Sequence, residues 1–220
     1  MKWVYIVAGI ALYIKMLILP NPMLSVDPAD IVTAVAQESG IPNVVSGIIF
    51  RNRLYDTIFE VIVFTIAIMG AKYLLANEQP YPTIHQFTDQ PSVLLARLGA
   101  TIAALVSLEL AIRGHLSPGG GFAAGVAGGT AIGLVTITSS SDAMEALYKR
   151  WRAATLEKLA VLAFILIAIA TLLGWNVTHG EFGALLSGGT LPLLNILVAI
   201  KVALGSWAVI LIFIRYRGLL

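Results

Sequence analysis

RGHLSPGGGFAAGVAGGTAIG, from Arg113 to Gly133, joins a polar turn to an apolar run striped with glycine. Gly121, Gly125, Gly129 and Gly133 recur every four residues. On a helix that spacing places four missing side chains on one face. In a bilayer such a face lets a neighbouring backbone approach closely, and a lipid-facing helix gains nothing from it. The stretch therefore predicts a membrane helix packed among other helices. Pro118 and the glycines Gly119, Gly120 and Gly121 allow a second reading, a broken helix whose freed backbone groups coordinate an ion. The uninterrupted apolar run after them favours packing.

The rest of the chain agrees with a membrane setting. Of 220 residues, 58% are apolar and only 12% charged, and the mean hydropathy is +0.89. A soluble domain carries about twice that charge. Cysteine is absent, which excludes disulfides, thiolate chemistry and iron–sulfur ligation. His85, His115 and His179 are far apart and show no metal-ligand spacing, so neither a metal nor a cofactor is expected. No nucleotide loop, nucleophile elbow or zinc signature is present. The net charge of +2 argues neither for nor against nucleic acid, and no nucleic-acid partner is expected of a membrane protein.

Six apolar runs approach the roughly 20 residues a membrane helix needs: Trp3–Leu19, Tyr55–Leu75, Ser92–Ile112, Pro118–Thr138, Leu156–Gly174 and Leu191–Ile214. The expected fold is all-α and polytopic. The first run reads as a retained span, because Lys15 interrupts it and Pro20-Asn21-Pro22 ends it. Pro28 to Gln37 can form a short surface helix with Asp27 as its N-cap. Asn77–Pro91 carries three prolines and reads as a linker. It divides a two-helix part, residues 1–76, from a four-helix part, residues 92–220. Lys149, Arg150, Arg152 and Lys158 cluster around the loop from the fourth to the fifth run, and Arg215 and Arg217 follow the last. By the positive-inside rule both termini are expected in the cytoplasm of a cell-membrane protein. Arg51 and Arg53 in the first loop favour the opposite side.

The chemistry of the chain lies in ionisable residues at or inside the spans. A charge at a helix centre costs about 3 kcal/mol on insertion scales, so it faces a protein interior, finds a partner or lines a wet path. Lys201 sits near the middle of the last run, too deep to snorkel easily. It is either a packing lysine paired with a carboxylate or a group that carries ions or protons. Asp56 and Glu60 share one helix face. Arg53 is placed to neutralise Asp56, whereas Glu60 has no cation three or four residues away. Glu109 and Arg113, also four apart, can form an intrahelical pair. His115 reads as interfacial and hydrogen-bonded or as a proton relay. Lys15 lies close enough to its span's end to snorkel, and His179 and Glu181 read as solvated residues of an outer turn.

Two motifs carry a resemblance. His115-Leu-Ser-Pro-Gly-Gly-Gly-Phe-Ala-Ala-Gly resembles the signature of the MrpB (MnhB) subunit of multisubunit sodium/proton antiporters. Gly188-Gly-Thr-Leu-Pro-Leu-Leu-Asn-Ile and the lysine-bearing helix after it look like that family's final segment. The match covers roughly Pro91 to Tyr216. Upstream, Arg53-Leu-Tyr-Asp-Thr-Ile-Phe-Glu-Val-Ile-Val-Phe looks like the C-terminal end of the large MrpA subunit, which also occurs as a small subunit of energy-converting hydrogenases. Carrying both segments resembles a fusion of neighbours, an arrangement nearer to archaeal membrane-bound hydrogenase or sulfur reductase complexes. The resemblance implies a subunit without redox chemistry of its own, in a module that moves Na+ and H+. It singles out Asp56, Glu60, the Pro118–Phe122 turn and Lys201. A scaffold that only docks neighbouring subunits is the alternative. An independent transporter is disfavoured by the lack of an inverted repeat.

Overall fold

In the computed structural model, residues 27–175 and 177–217 are described, together with Ile10, Tyr13 and Ile14. The chain divides into two compact units, residues 1–32 and 33–220. Of the first, the isolated helical positions Ile10, Tyr13 and Ile14 and the start of one helix are described. The rest of the expected first span, Lys15 included, lies outside the described residues.

Helix α1, Pro28–Ser39, starts where Asp27 Oδ1 accepts the Ala29 N–H at 2.9 Å. It ends at Gly40, whose φ of +70° is the left-handed closure that glycine adopts at least cost. A short helix α2, Val44–Gly47, runs through a π turn at Ile48–Asn52 into α3, Leu54–Leu75. Then come α4, Gln90–Arg113, and α5, Gly120–Ile137. They are followed by α6, Ser141–Arg150, α7, Ala153–Leu172, and α8, Leu191–Arg217.

Helices α3, α4, α5, α7 and α8 are each long and apolar enough to cross a membrane, and the described residues contain no strand. The protein is a polytopic all-α membrane protein. Five of the six expected runs are therefore helices of spanning length, and the sixth is the undescribed one. The segment between α3 and α4 is non-helical for most of its length. It is pinned at the Arg215 end of the bundle by Tyr81 N–H to Arg215 O, 2.8 Å, and Phe87 N–H to Ile137 O, 3.3 Å.

Helix α6 is an element the hydropathy pattern does not disclose, being short and polar. Ser140 caps it by accepting the Ala143 N–H at 3.2 Å, and Glu145 pairs with Lys149 one turn on at 2.6 Å. Its single buried residue, Met144, joins Ala153 and Trp207 in a small core. The connection into α7 passes through Arg152 at φ +48°.

Helix α8 is the centre of the bundle, in contact with α3, α4, α5, α6 and α7. The main core gathers Leu54 and Val61 of α3, Phe164 and Ala168 of α7, and Leu194, Val198 and Val202 of α8. Lipid tails are as apolar as these side chains, so close packing and interhelical hydrogen bonds hold such a bundle together rather than escape from water. The glycines of α5 supply the packing. A Cβ on Gly121 would strike the Asn195 carbonyl oxygen, on Gly125 the Ala199 carbonyl oxygen at 2.8 Å, and on Gly129 the Ser206 Cβ at 2.7 Å. Gly133 is looser, with Ile210 at 3.3 Å. Between α4 and α5, Ser107 Oγ donates to Ala124 O at 2.7 Å.

Candidate functional site

The turn Gly114–Gly119 between α4 and α5 has two asparagines as its clamps. Asn43 Nδ2 donates to Gly114 O and to Ser117 O, both at 2.7 Å. Asn195 Nδ2 donates to Leu110 O at 3.1 Å and Ala111 O at 2.7 Å, taking up carbonyls that the end of α4 leaves without helical partners. Gly119 and Gly120 adopt φ of +137° and +86°, a region strained for any residue with a side chain. That lets the chain reverse and start α5 directly beneath Pro118. The turn is thus a built, rigid feature at one end of the bundle.

A cavity of about 220 Å³ opens beside it, bounded by the Pro118–Phe122 segment, by Asn43, Ser46 and Phe50, by Thr57 and Glu60 of α3, and by Val198 of α8. The structure thus brings Glu60 to the glycine turn, 60 residues away in sequence. Glu60 lies six residues into α3, about 9 Å along its axis at 1.5 Å per residue, and is exposed on the chain's own surface. A carboxylate at that depth is costly against lipid.

One turn along α8 from Val198 lies Lys201, 1% exposed. Its Nζ has no hydrogen-bond partner and sits 3.7 Å above the centre of the Phe64 ring, an attraction of about 2 kcal/mol when desolvated. Phe64 in turn meets Phe122 edge to face, with centroids 6.4 Å apart. Phe64 is one turn from Glu60, and Phe122 borders the cavity, so an aromatic pair stands between the Glu60 cavity and the lysine. The carboxylate that acts electrostatically on Lys201 is Glu157 of α7, 5% exposed and not in direct ion-pair contact with it.

The other candidate residues are placed apart from this group. Asp56 accepts from Arg53 Nε at 2.6 Å at the start of α3. Glu109 and Arg113 pair at 3.1 Å on the outside of α4, each more than half exposed. His115, read as interfacial and hydrogen-bonded or as a proton relay, sits fully buried in the turn between α4 and α5. Burial pushes its imidazole below its ordinary value, opposed in part by the backbone of Leu185 and Ala184. His179 is not simply solvated either. It is half-buried, with Nε2 3.2 Å from Arg51 Nη1 and its Cβ against Gly40.

Asn43 and Glu157 escape sequence reasoning. Asn43 sits in a loop with no pattern to mark it. Glu157 does carry a signal, since Ala153, Glu157, Ala160, Phe164 and Ala168 form the buried stripe of α7. A glutamate in register with that stripe is an inward-facing charge.

A helical bundle of spans carrying interior charges beside a glycine turn defines a polytopic membrane protein. Residues 91–208 match the family model for a domain related to the MnhB subunit of Na+/H+ antiporter; the chain belongs to that family. The uncharacterized protein MJ1307 of Methanocaldococcus jannaschii is 27% identical over 195 residues, covering 75% of this chain and 74% of its own length. The fold is similar to a chain in the membrane-bound sulfane sulfur reductase (MBS), an archaeal respiratory membrane complex. The TM-score there is 0.68 at 24% identity, over 97% of this chain and 96% of that one. It is also similar to a chain of the Mrp complex from Dietzia sp. DQ12-45-1b, with TM-score 0.67 and 20% identity, over 98% of this chain and 26% of that one.

Proposed function

We propose that this chain is a non-catalytic membrane subunit of an Mrp-type or respiratory complex, in which it contributes charged side chains to a Na+/H+ path. The observation that carries the reading is the arrangement of Glu60 and Lys201. A membrane-depth carboxylate lines a cavity at the glycine turn, and a buried ammonium without a hydrogen-bond partner lies behind the Phe64–Phe122 pair. An ion drawn into the cavity by Glu60 would alter the field at Lys201, and a proton on Lys201 would oppose a cation in the cavity. That reciprocal repulsion is a means of exchanging one cation for another.

The exposure of Glu60 supports a partner subunit over this face of α3, since lipid would leave the carboxylate unsatisfied. The basic residues of α6, of the start of α7 and of the end of α8 support a cytoplasmic location for the Arg215 end. The two-part organisation, an MrpA-like part before residue 77 and an MrpB-like part after residue 91, belongs to the same proposal. So does a role for Asp56 and the Pro118–Phe122 turn in shaping the path. A purely structural subunit is the competing reading, favoured by the outward Glu109–Arg113 pair and by the glycine seam.

Glu60→Gln in the assembled complex separates the two. It is expected to slow sodium-dependent proton uptake in vesicles by about 100-fold, the low end of what loss of an essential proton or charge carrier costs. Glu181→Gln, in an exposed loop, should leave the rate unchanged. Equal effects from the two substitutions would contradict the path.

A further inference from the structure

The Glu60 cavity and Lys201 account for one end and the middle of the bundle, and leave three buried polar groups toward the other end unused. Glu157 is 5% exposed. The hydroxyl of Tyr148 and the indole nitrogen of Trp207 are both buried and have no hydrogen-bond partner. Such groups cost about 1–3 kcal/mol each when left unpaired, so a cluster of them calls for a use.

They lie on three helices, α6, α7 and α8, that contact one another. Gly205, one turn beyond Lys201, lets side chains of neighbouring helices close on α8, with Ile68 Cδ1 2.7 Å from where a Cβ would stand. A Cβ there would lie 3.5 Å from Glu157 Oε1 and 2.8 Å from Phe64 Cε1. The Glu157 carboxylate and the ring beneath the Lys201 ammonium therefore converge at the same glycine. Tyr148 of α6 packs edge to face on Trp207 of α8, centroids 5.2 Å apart, and feels the charge of Glu157. On its other side Tyr148 borders a cavity of about 250 Å³ at the Arg215 end, lined also by Lys72, Glu145, Lys149 and Arg215.

We propose that Tyr148, Glu157 and Lys201 form a proton-access line leading from the cavity at the Arg215 end into the middle of the bundle. The proposal rests on the ion-path reading above and supplies its second entrance. A hydronium ion in the cavity gives a proton to the Tyr148 oxygen and reverts to water, as the phenol passes its own proton through a bridging water to Glu157. Rotation of the Tyr148 hydroxyl opens both contacts, and the phenol is left as it began. The Glu157 carboxylate becomes a carboxylic acid. Its O–H bond then breaks as the neutral Lys201 amine takes the proton, leaving a carboxylate and an ammonium. No electron is transferred. Because Lys201 and Glu157 are not in ion-pair contact, the last transfer uses the rotation of the four-carbon lysine stem or one bridging water. An acid, a phenol and an amine exchange protons, whereas a sodium ion needs several oxygen ligands together. Among the described residues no group of three or more acidic, histidine or cysteine side chains is assembled that could hold a metal ion.

The test uses the complete parent complex in proteoliposomes, with proton uptake driven by a sodium gradient and assembly followed on native gels. Glu157→Gln keeps the shape and removes the proton site, and is expected to slow uptake by about 100-fold, with Glu157→Asp restoring part of the rate. Tyr148→Phe keeps the contact with Trp207 and should slow uptake by about tenfold, water replacing the phenol poorly. Wild-type rates in Glu157→Gln and Tyr148→Phe, with Glu60→Gln blocked, overturn the access line and leave the ion path standing. Wild-type rates in all three overturn the ion path itself. Should Glu157→Gln disperse the complex, Tyr148→Phe decides: a slowed rate supports the line and an unchanged one overturns it.

Discussion

Helices α3 and α8 are similarly apolar, yet 44% of the most apolar stretch of α8 is buried inside the chain and only 17% of that of α3. What separates them is the shape of the neighbouring surface. Opposite α8, helix α5 presents Gly121, Gly125 and Gly129, and backbone meets backbone. On the outer face of α3, by contrast, Phe59, Val63, Ile66, Met69 and Tyr73 are exposed, and no described glycine seam meets them. In a membrane, small residues rather than hydropathy mark an interface within the chain. A large-residue face that also carries Glu60 marks a surface that another subunit can cover.

The comparison breaks most decisively at glycine. Gly125→Leu would drive its side chain into Val202 and the Ala199 carbonyl, and is expected to abolish folding and assembly. Gly70→Leu on α3 meets open space and should leave the chain folded. Native gels and thermal unfolding in detergent distinguish the two, and similar behaviour of both variants would mean that the seam is no tighter than the outer face.

A smaller effect is expected where hydrogen bonds, not shape, hold the seam. Asn195→Ala frees the Leu110 and Ala111 carbonyls and should cost about 1–2 kcal/mol, read as a lowered Tm. The least effect comes from His115. Its folded-state value lies below the unfolded value of 6.5, so the unfolded chain takes up a proton more readily. Stability is therefore intact above about pH 6.5 and falls as pH drops below it toward the folded value. Tm measured from pH 7.5 to 5.5 should decline, and His115→Gln should flatten that decline. A wild-type Tm independent of pH in this window would show that burial does not hold the imidazole neutral.

Much of this architecture is legible in the chain. The apolar runs of α3, α4, α5, α7 and α8 announce themselves by length, and Asp27 and Gly40 bracket α1 by ordinary capping chemistry. The four-residue glycine spacing names a packed face but not its partner, and the choice of α8 over α4 depends on tertiary packing. Helix α6 is missed because its ten residues carry one buried side chain and no apolar run. At the site, Glu60 and Lys201 stand out as charges in apolar surroundings. The cavity that brings Glu60 to Pro118–Phe122, the Phe64 ring beneath Lys201 and the Asn43 clamp all join distant segments, and no local pattern encodes such meetings. Glu157 lay within reach of periodicity, hidden by its neighbour Lys158 and by the cluster of basic residues before it.

On the proposed reading, Lys201 works on the ion path and does not serve packing alone. Sodium-dependent proton uptake by vesicles containing the parent complex with Lys201→Ala, alongside native gels, tests it most directly. The expected result is an intact complex that no longer takes up protons. An intact complex transporting at the wild-type rate would contradict it and leave the chain a packing subunit.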